Sequence, residues 1–322
     1  MSHFKEKIFK FINSQIIIIA VIAGTLPALA FPETSETWRL AGVTPWLIAG
    51  VFLCQGLGLN PKDKIDLSHN LKIISFSMLA SFLIFPLLAF GVLELANLSQ
   101  DNYFGLMLIC CMPCTLVSGI VISDLAGGDR PAALFITIAL NCSAVIISPL
   151  LIALYLSSTA EIDTLSLIKK LALTVFIPAL CGWGIRKQLK TTKNNFNLSI
   201  KYLPVLFLGT VIFVNTGGQK DEILNGSLNE ALYIAVLSAI IHLCALFLFN
   251  FFGKRTSMSD AQNRSFSICC SQKTLPLAIA IWSAHFAQDF PTALIATMIY
   301  HLIQIYLDSF IAQKWAQKKL SS

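Results

Sequence analysis

Lys273 is the residue in this chain whose type and setting most plainly imply chemistry. It lies within Ser271-Gln272-Lys273-Thr274-Leu275-Pro276, flanked by the apolar stretches 266–270 and 277–282. A lysine at the centre of a membrane helix costs roughly 2.5–3.5 kcal/mol on insertion scales, and such residues mark solute or ion pathways. Pro276 lacks an N–H and clashes with the preceding turn, so a helix break or kink is expected there. A charged group beside a mid-membrane break is the arrangement of a transport site. A lysine snorkelling to an interface fits less well, because residue 273 sits near the centre of its run.

A second polar stretch matches the first. Ile109-Cys110-Cys111-Met112-Pro113-Cys114-Thr115-Leu116 aligns with Ile268-Cys269-Cys270-Ser271-Gln272-Lys273-Thr274-Leu275 at an offset of 159 residues. After one added residue, Asp129-Arg130-Pro131-Ala132-Ala133-Leu134 faces Asp289-Phe290-Pro291-Thr292-Ala293-Leu294. An offset near half the chain length implies two homologous halves. Downstream of each motif lie Thr137 and Asn141, then Thr297, His301 and Gln304, whose three- and four-residue spacing puts each set on one helix face. These polar residues either line a site or hydrogen-bond across helix contacts. The expected substrate- or ion-binding set is Pro113, Cys114, Thr115, Ser118, Thr137, Asn141, Ser271, Gln272, Lys273, Thr274, His301 and Gln304. Glu94, Asp124, Asp129 and Asp308 all fall near span ends, so no carboxylate is expected beside the lysine. Its ammonium must then lose a proton, pair with carbonyls of the broken helices, or meet an anion.

The elements that position these residues are membrane spans. Of the 322 residues 56% are hydrophobic and 12% charged, about half the charged share of a soluble domain. Ten apolar windows are readable, at roughly 15–31, 41–59, 71–93, 103–123, 132–156, 165–185, 202–219, 231–252, 265–285 and 291–311. Five spans per half is an odd number, so the second half must cross the membrane inverted, with the site near the midplane on discontinuous helices. The expected architecture is all-α: ten transmembrane helices in a single domain over residues 1–322, as repeats 11–156 and 165–312. With the N-terminus inside, 18 of the 23 Lys and Arg residues face the cytoplasm and only Arg39, Lys169, Lys170 and Lys220 face out. Both termini are therefore expected to be cytoplasmic, in a cell (plasma or inner) membrane. The net charge of +6 is a topology signal rather than a nucleic-acid footprint. Lys5, Lys7 and Lys10 ahead of a run ending Ala28-Leu29-Ala30 imitate a cleavable signal peptide, but cleavage would leave an unbalanced set of spans.

No paired carboxylates, His-Glu-x-x-His, Gly-x-Ser-x-Gly or Walker glycine loop is present, which argues against an enzyme, a primary pump or a bound cofactor. The nine cysteines all fall inside the predicted spans, as small apolar residues. Cys110, Cys111 and Cys114 are expected to pack helices rather than hold a metal.

With these motifs the chain resembles the bile acid:sodium symporter superfamily, in its SBF-like branch. The resemblance rests on Met112-Pro113-Cys114-Thr115-Leu116-Val117-Ser118-Gly119, on Gly127-Gly128-Asp129, and on Ser271-Gln272-Lys273-Thr274-Leu275. It implies a panel domain (spans 1, 2, 6 and 7) beside a core domain (spans 3–5 and 8–10) in which broken helices 4 and 9 cross. It also implies sodium coupling, held in part by a glutamate and a glutamine in span 9. Those two positions here are Cys269 and Lys273. Sodium wants hard oxygen ligands, and a thiol and an ammonium supply none. The expected function is a secondary transporter of a small, anionic organic solute, with Lys273 standing where a sodium ion would sit. The alternatives are a proton-linked antiporter or exporter of the same fold, and a non-transporting membrane scaffold or regulator of ion homeostasis.

Overall fold

The computed structural model describes residues 16–59, 67–157, 161–189 and 194–320. Lys5, Lys7, Lys10, Lys62, Lys64, Lys190 and Lys193, which entered the charge asymmetry, lie outside the described residues, as does the signal-like opening before residue 16. Among the described residues there is helix and no strand. The order is α1 (Ile16–Ala30), α2 (Pro32–Leu40), α3 (Thr44–Gly58) and α4 (Leu67–Leu79), the last running through a π turn (Ala80–Ile84) into α5 (Phe85–Glu94). Then come α6 (Gln100–Cys110), α7 (Leu116–Leu125), α8 (Arg130–Leu156), and α9 (Thr164–Leu171), joined by a π turn (Ala172–Phe176) to α10 (Ile177–Gln188). The chain continues through α11 (Asn194–Thr216), α12 (Lys220–Asn225), α13 (Leu228–Gly253), α14 (Asp260–Ser271), α15 (Leu275–His285) and α16 (Ala293–Leu320).

Among the described residues six helical segments are long and apolar enough to cross a membrane, and α1 with α2, bent by 103°, makes a seventh if counted as one. The other three predicted windows hold shorter pieces. Window 41–59 is the 15-residue α3. Windows 103–123 and 265–285 are each two half-helices, α6/α7 and α14/α15, separated by extended backbone. This is an all-helical polytopic membrane protein.

Local sequence sets the ends of the half-helices. Ser259 and Gln262 form a reciprocal capping box at the start of α14, and the Asp129 carboxylate accepts from the Ala132 amide at the start of α8. The Gly127-Gly128-Asp129 motif is a tight turn. Gly127 has φ +71°, and a Cβ on Gly128 would press on the hydroxyls of Ser123 and Ser265. The Asp129 amide donates to Ala261 O at 3.0 Å, pinning this turn to α14.

The break lies in the turn before Pro276, as expected. Gln272, four residues ahead of the proline, and Thr274 are extended, and Pro276 itself sits in the first turn of α15, where a missing N–H costs nothing.

The helices pack in two groups. In one, α3 packs on α10 and α11, and α11 on α1. The α3–α10 crossing is close: a Cβ on Gly56 would land on the Ala179 carbonyl and one on Gly182 on the Leu53 carbonyl. In the other, α6 and α13 pack on α16, and α14 packs on α7, α8 and α13.

Candidate functional site

The two breaks touch each other. The Thr274 amide donates to Pro113 O at 2.9 Å, so the interrupted backbone of one helix satisfies that of the other. Unwound backbone at membrane depth needs such partners, since each orphaned group is costly.

The helix following each break supplies the remaining bonds. On α8, Asn141 Nδ2 donates to Cys114 O (2.9 Å) and Ser148 Oγ to Cys111 O (2.8 Å). On α16, Gln304 serves both backbone groups of one residue, accepting from the Lys273 amide at 2.9 Å and donating to the Lys273 carbonyl at 2.6 Å. His301 Nδ1 lies 3.1 Å from the same carbonyl. The face predicted from the 301/304 spacing is thus the clamp on the second break.

Polar side chains bridge the breaks as well. Ser118 Oγ donates to Thr115 Oγ1, and Thr115 Oγ1 to Gln272 Oε1, each at 2.6 Å. Gln272 Nε2 donates at 2.7 Å to Asp308 Oδ2. Asp308 Oδ1 is 2.8 Å from His242 Nε2 on α13, with both side chains fully buried. A continuous hydrogen-bonded chain therefore runs from α7 through both breaks to α16 and α13.

This overturns one expectation. Asp308 is not at a span end, because α16 continues to Leu320 and leaves it near mid-helix. It does not pair with Lys273: among the described residues no carboxylate lies within ion-pair distance of that ammonium. Lys273 Nζ instead donates to Ser81 O (2.9 Å) and Ser81 Oγ (3.1 Å) and sits 4.0 Å from the Phe85 ring centre. The reason that carbonyl is open lies in α4/α5. Within the π turn the Phe85 amide bonds Ala80 O. The next donor in that register, for Ser81 O, would be Pro86, which has no N–H. The ammonium fills the gap, helped by the ring face. Of the three outcomes open to it, Lys273 pairs with a backbone carbonyl, one on span 3 rather than on the broken helices.

Three expected site residues stay local or supply packing. Thr137 Oγ1 donates to Leu134 O and Ser271 Oγ to Ile268 O, each within its own helix. Cys114 is buried with its thiol on Thr115 O. Asp308, His242 and Ser81 were missed, although Asp308 continues the 297/301/304 spacing by four residues. Among the described residues no three His, Cys, Asp or Glu side chains converge as a metal site.

Beside the crossover, between the two helix groups, lies a cavity of about 260 Å³. Phe52, Gln55, Leu116, Asn141, Phe176 and Trp183 are among its lining residues, and among the described residues no lysine or arginine lines it. Gln55 Oε1 is buried without a hydrogen-bond partner.

Residues 11–317 match the model of the SBF-like CPA transporter family. The chain belongs to that family. A probable sodium/metabolite cotransporter BASS4 (chloroplastic) of Oryza sativa subsp. indica is 27% identical over 96% of this chain and 77% of its own length. Sodium/bile acid cotransporter 7 of Xenopus tropicalis is 24% identical over 84% and 81%. An uncharacterized protein of Pseudomonas aeruginosa is 24% identical over 94% and 92%. As a member of the SBF-like family, this chain is a transmembrane transport protein.

Proposed function

We propose that the protein is a secondary active transporter that moves a small organic solute by alternating access. The observation that carries this is the crossover itself, two interrupted helices meeting through the Thr274–Pro113 bond beside a cavity between two helix groups. In this reading ten transmembrane helices form two inverted five-helix repeats, 11–156 and 165–312, in one domain. The group containing α1, α3, α10 and α11 is the panel; the group around α14–α16 is the core that moves against it. The protein sits in the cell membrane with both termini cytoplasmic.

The ion- and solute-handling set is Thr115, Ser118, Asn141, Gln272, Lys273, His301 and Gln304, with Pro113 and Thr274 as the backbone joint. Lys273 acts as a built-in cation where the cotransporters of the resembling superfamily hold sodium, and it ties the second break to span 3. An anionic solute was expected on the strength of Lys273, but that ammonium is taken up by Ser81 and Phe85. Recognition in the cavity falls instead to aromatic and aliphatic walls and the amides of Gln55 and Asn141, which suits a largely apolar solute with a small polar group.

The test is thermal stability of the purified protein in sodium against choline buffer, with Lys273→Gln alongside. A ligand that binds only the folded state raises apparent stability by mass action. Wild type is expected to be indifferent to sodium and Lys273→Gln to melt lower. Clear stabilisation of wild type by sodium would restore ordinary sodium symport.

A further inference from the structure

We infer that Asp308 and His242 form a proton-binding site, which supplies the coupling ion in the transport reading above and rests on that reading for its role. Both side chains are fully buried, with Asp308 Oδ1 2.8 Å from His242 Nε2. The other carboxylate oxygen accepts from Gln272 Nε2 at 2.7 Å. His242 Nδ1, also buried, has no hydrogen-bond partner.

Among the described residues no other charged side chain lies within ion-pair distance of either group. Cys269 faces the pair from α14, and Tyr300 and His301 come from α16 itself, all fully buried. Helix α6 carries Cys110 at its C-terminal end, fully buried. From α7 come Thr115 and Ser118, its Asp124 being bonded to Arg130. Helix α1 carries no titratable residue, and His285 is at the far end of α15. Arg264 on α14 is committed to the carbonyls of Ala126 and Trp315, and Lys273 to Ser81.

A lone buried carboxylate with a neutral imidazole would leave one uncompensated negative charge, which a dry interior strongly disfavours. The pair avoids this by holding one more proton, as imidazolium and carboxylate or as imidazole and carboxylic acid, two microstates of one coupled site. A metal cation fits less well, since both carboxylate oxygens are already hydrogen-bonded to side-chain nitrogens. When the core opens to water, that proton passes to water, and the pair is left as carboxylate and neutral imidazole with no other bond made or broken. The consequence reaches both breaks, because Asp308 holds Gln272 and Gln272 holds Thr115. Where the proton rests on the carboxyl group, its loss ionises the acceptor, and because a bond to an ionised acceptor is the stronger one, the Asp308–Gln272 link then tightens.

Infrared difference spectroscopy of the detergent-solubilised full chain tests this without any solute, comparing H₂O with D₂O and neutral with alkaline buffer. Wild type is expected to show, at neutral pH, a carboxylic-acid carbonyl band or an imidazolium ring band that shifts on deuteration. Asp308→Asn should abolish it. His242→Gln should leave only the carboxylic-acid form, which keeps the test alive if Asp308→Asn fails to fold. The inference is overturned if neither band is present in wild type, or if the bands persist unchanged in both variants. That failure would leave the sodium and Lys273 experiment untouched, and failure of that experiment would leave this proton site standing.

Discussion

The two breaks that meet at the crossover are closed by different means. The first, before α7, relies on neutral groups: an asparagine and a serine from α8 each cap one carbonyl. The second, before α15, gathers a lysine, a glutamine, a histidine and, through Gln272, an aspartate. Asn141 is only partly buried and lines the cavity, whereas Gln304 is fully buried. The first break thus borders the cavity through Asn141 and the second is closed by fully buried polar and charged side chains, although the two sequences align at a constant offset.

Gln304→Ala should have the largest effect. It leaves the Lys273 amide without an acceptor and its carbonyl with His301 alone, and a buried orphaned group costs roughly 1–3 kcal/mol. Thermal unfolding in detergent measures this, and the melting temperature should fall well below that of wild type. Asn141→Ala should cost less, about 1 kcal/mol, because water in the cavity reaches the freed Cys114 carbonyl. Solute transport, by contrast, should suffer in Asn141→Ala as much as in Gln304→Ala. Equal losses of stability in the two variants would break the distinction between the breaks.

The smallest effect is expected far from both. Glu36 and Arg39 form an ion pair on α2, between the first two predicted apolar windows and about one-third exposed. The hydrogen bond from Arg39 holds the Glu36 carboxyl below the ordinary carboxylate range. Its contribution is therefore full above that range and is lost as pH falls through the lowered value. Glu36→Gln should cost less than about 1 kcal/mol, and an acid melt of wild type against the variant should converge at low pH.

Much of this site was legible in the sequence. Proline with polar neighbours at Pro113 and Pro276 marked both interruptions, and spacing on one helix face found Asn141, His301 and Gln304. Thr137 and Ser271 satisfied the same pattern but spend their hydroxyls on their own helices, as Ser and Thr readily do. Asp308 escaped because an apolar window stops where lysines begin, while the helix runs on through Lys314 with its backbone bonds unaffected. Ser81 carries no signal as a residue. Its carbonyl becomes an acceptor only through a π turn followed by Pro86, a coincidence of register that composition does not record. His242 sits in so apolar a run that only its partner across the fold gives it a role.

The bond from Lys273 to Ser81 has a thermodynamic consequence for the proposed cycle. A sodium ion is left behind on the far side of the membrane at each turnover, and the energy of its gradient is released with it. A cation on a side chain goes out and comes back. Whatever work the membrane voltage does on Lys273 in one half of the cycle is undone in the other, so this charge stabilises the crossover yet drives nothing uphill.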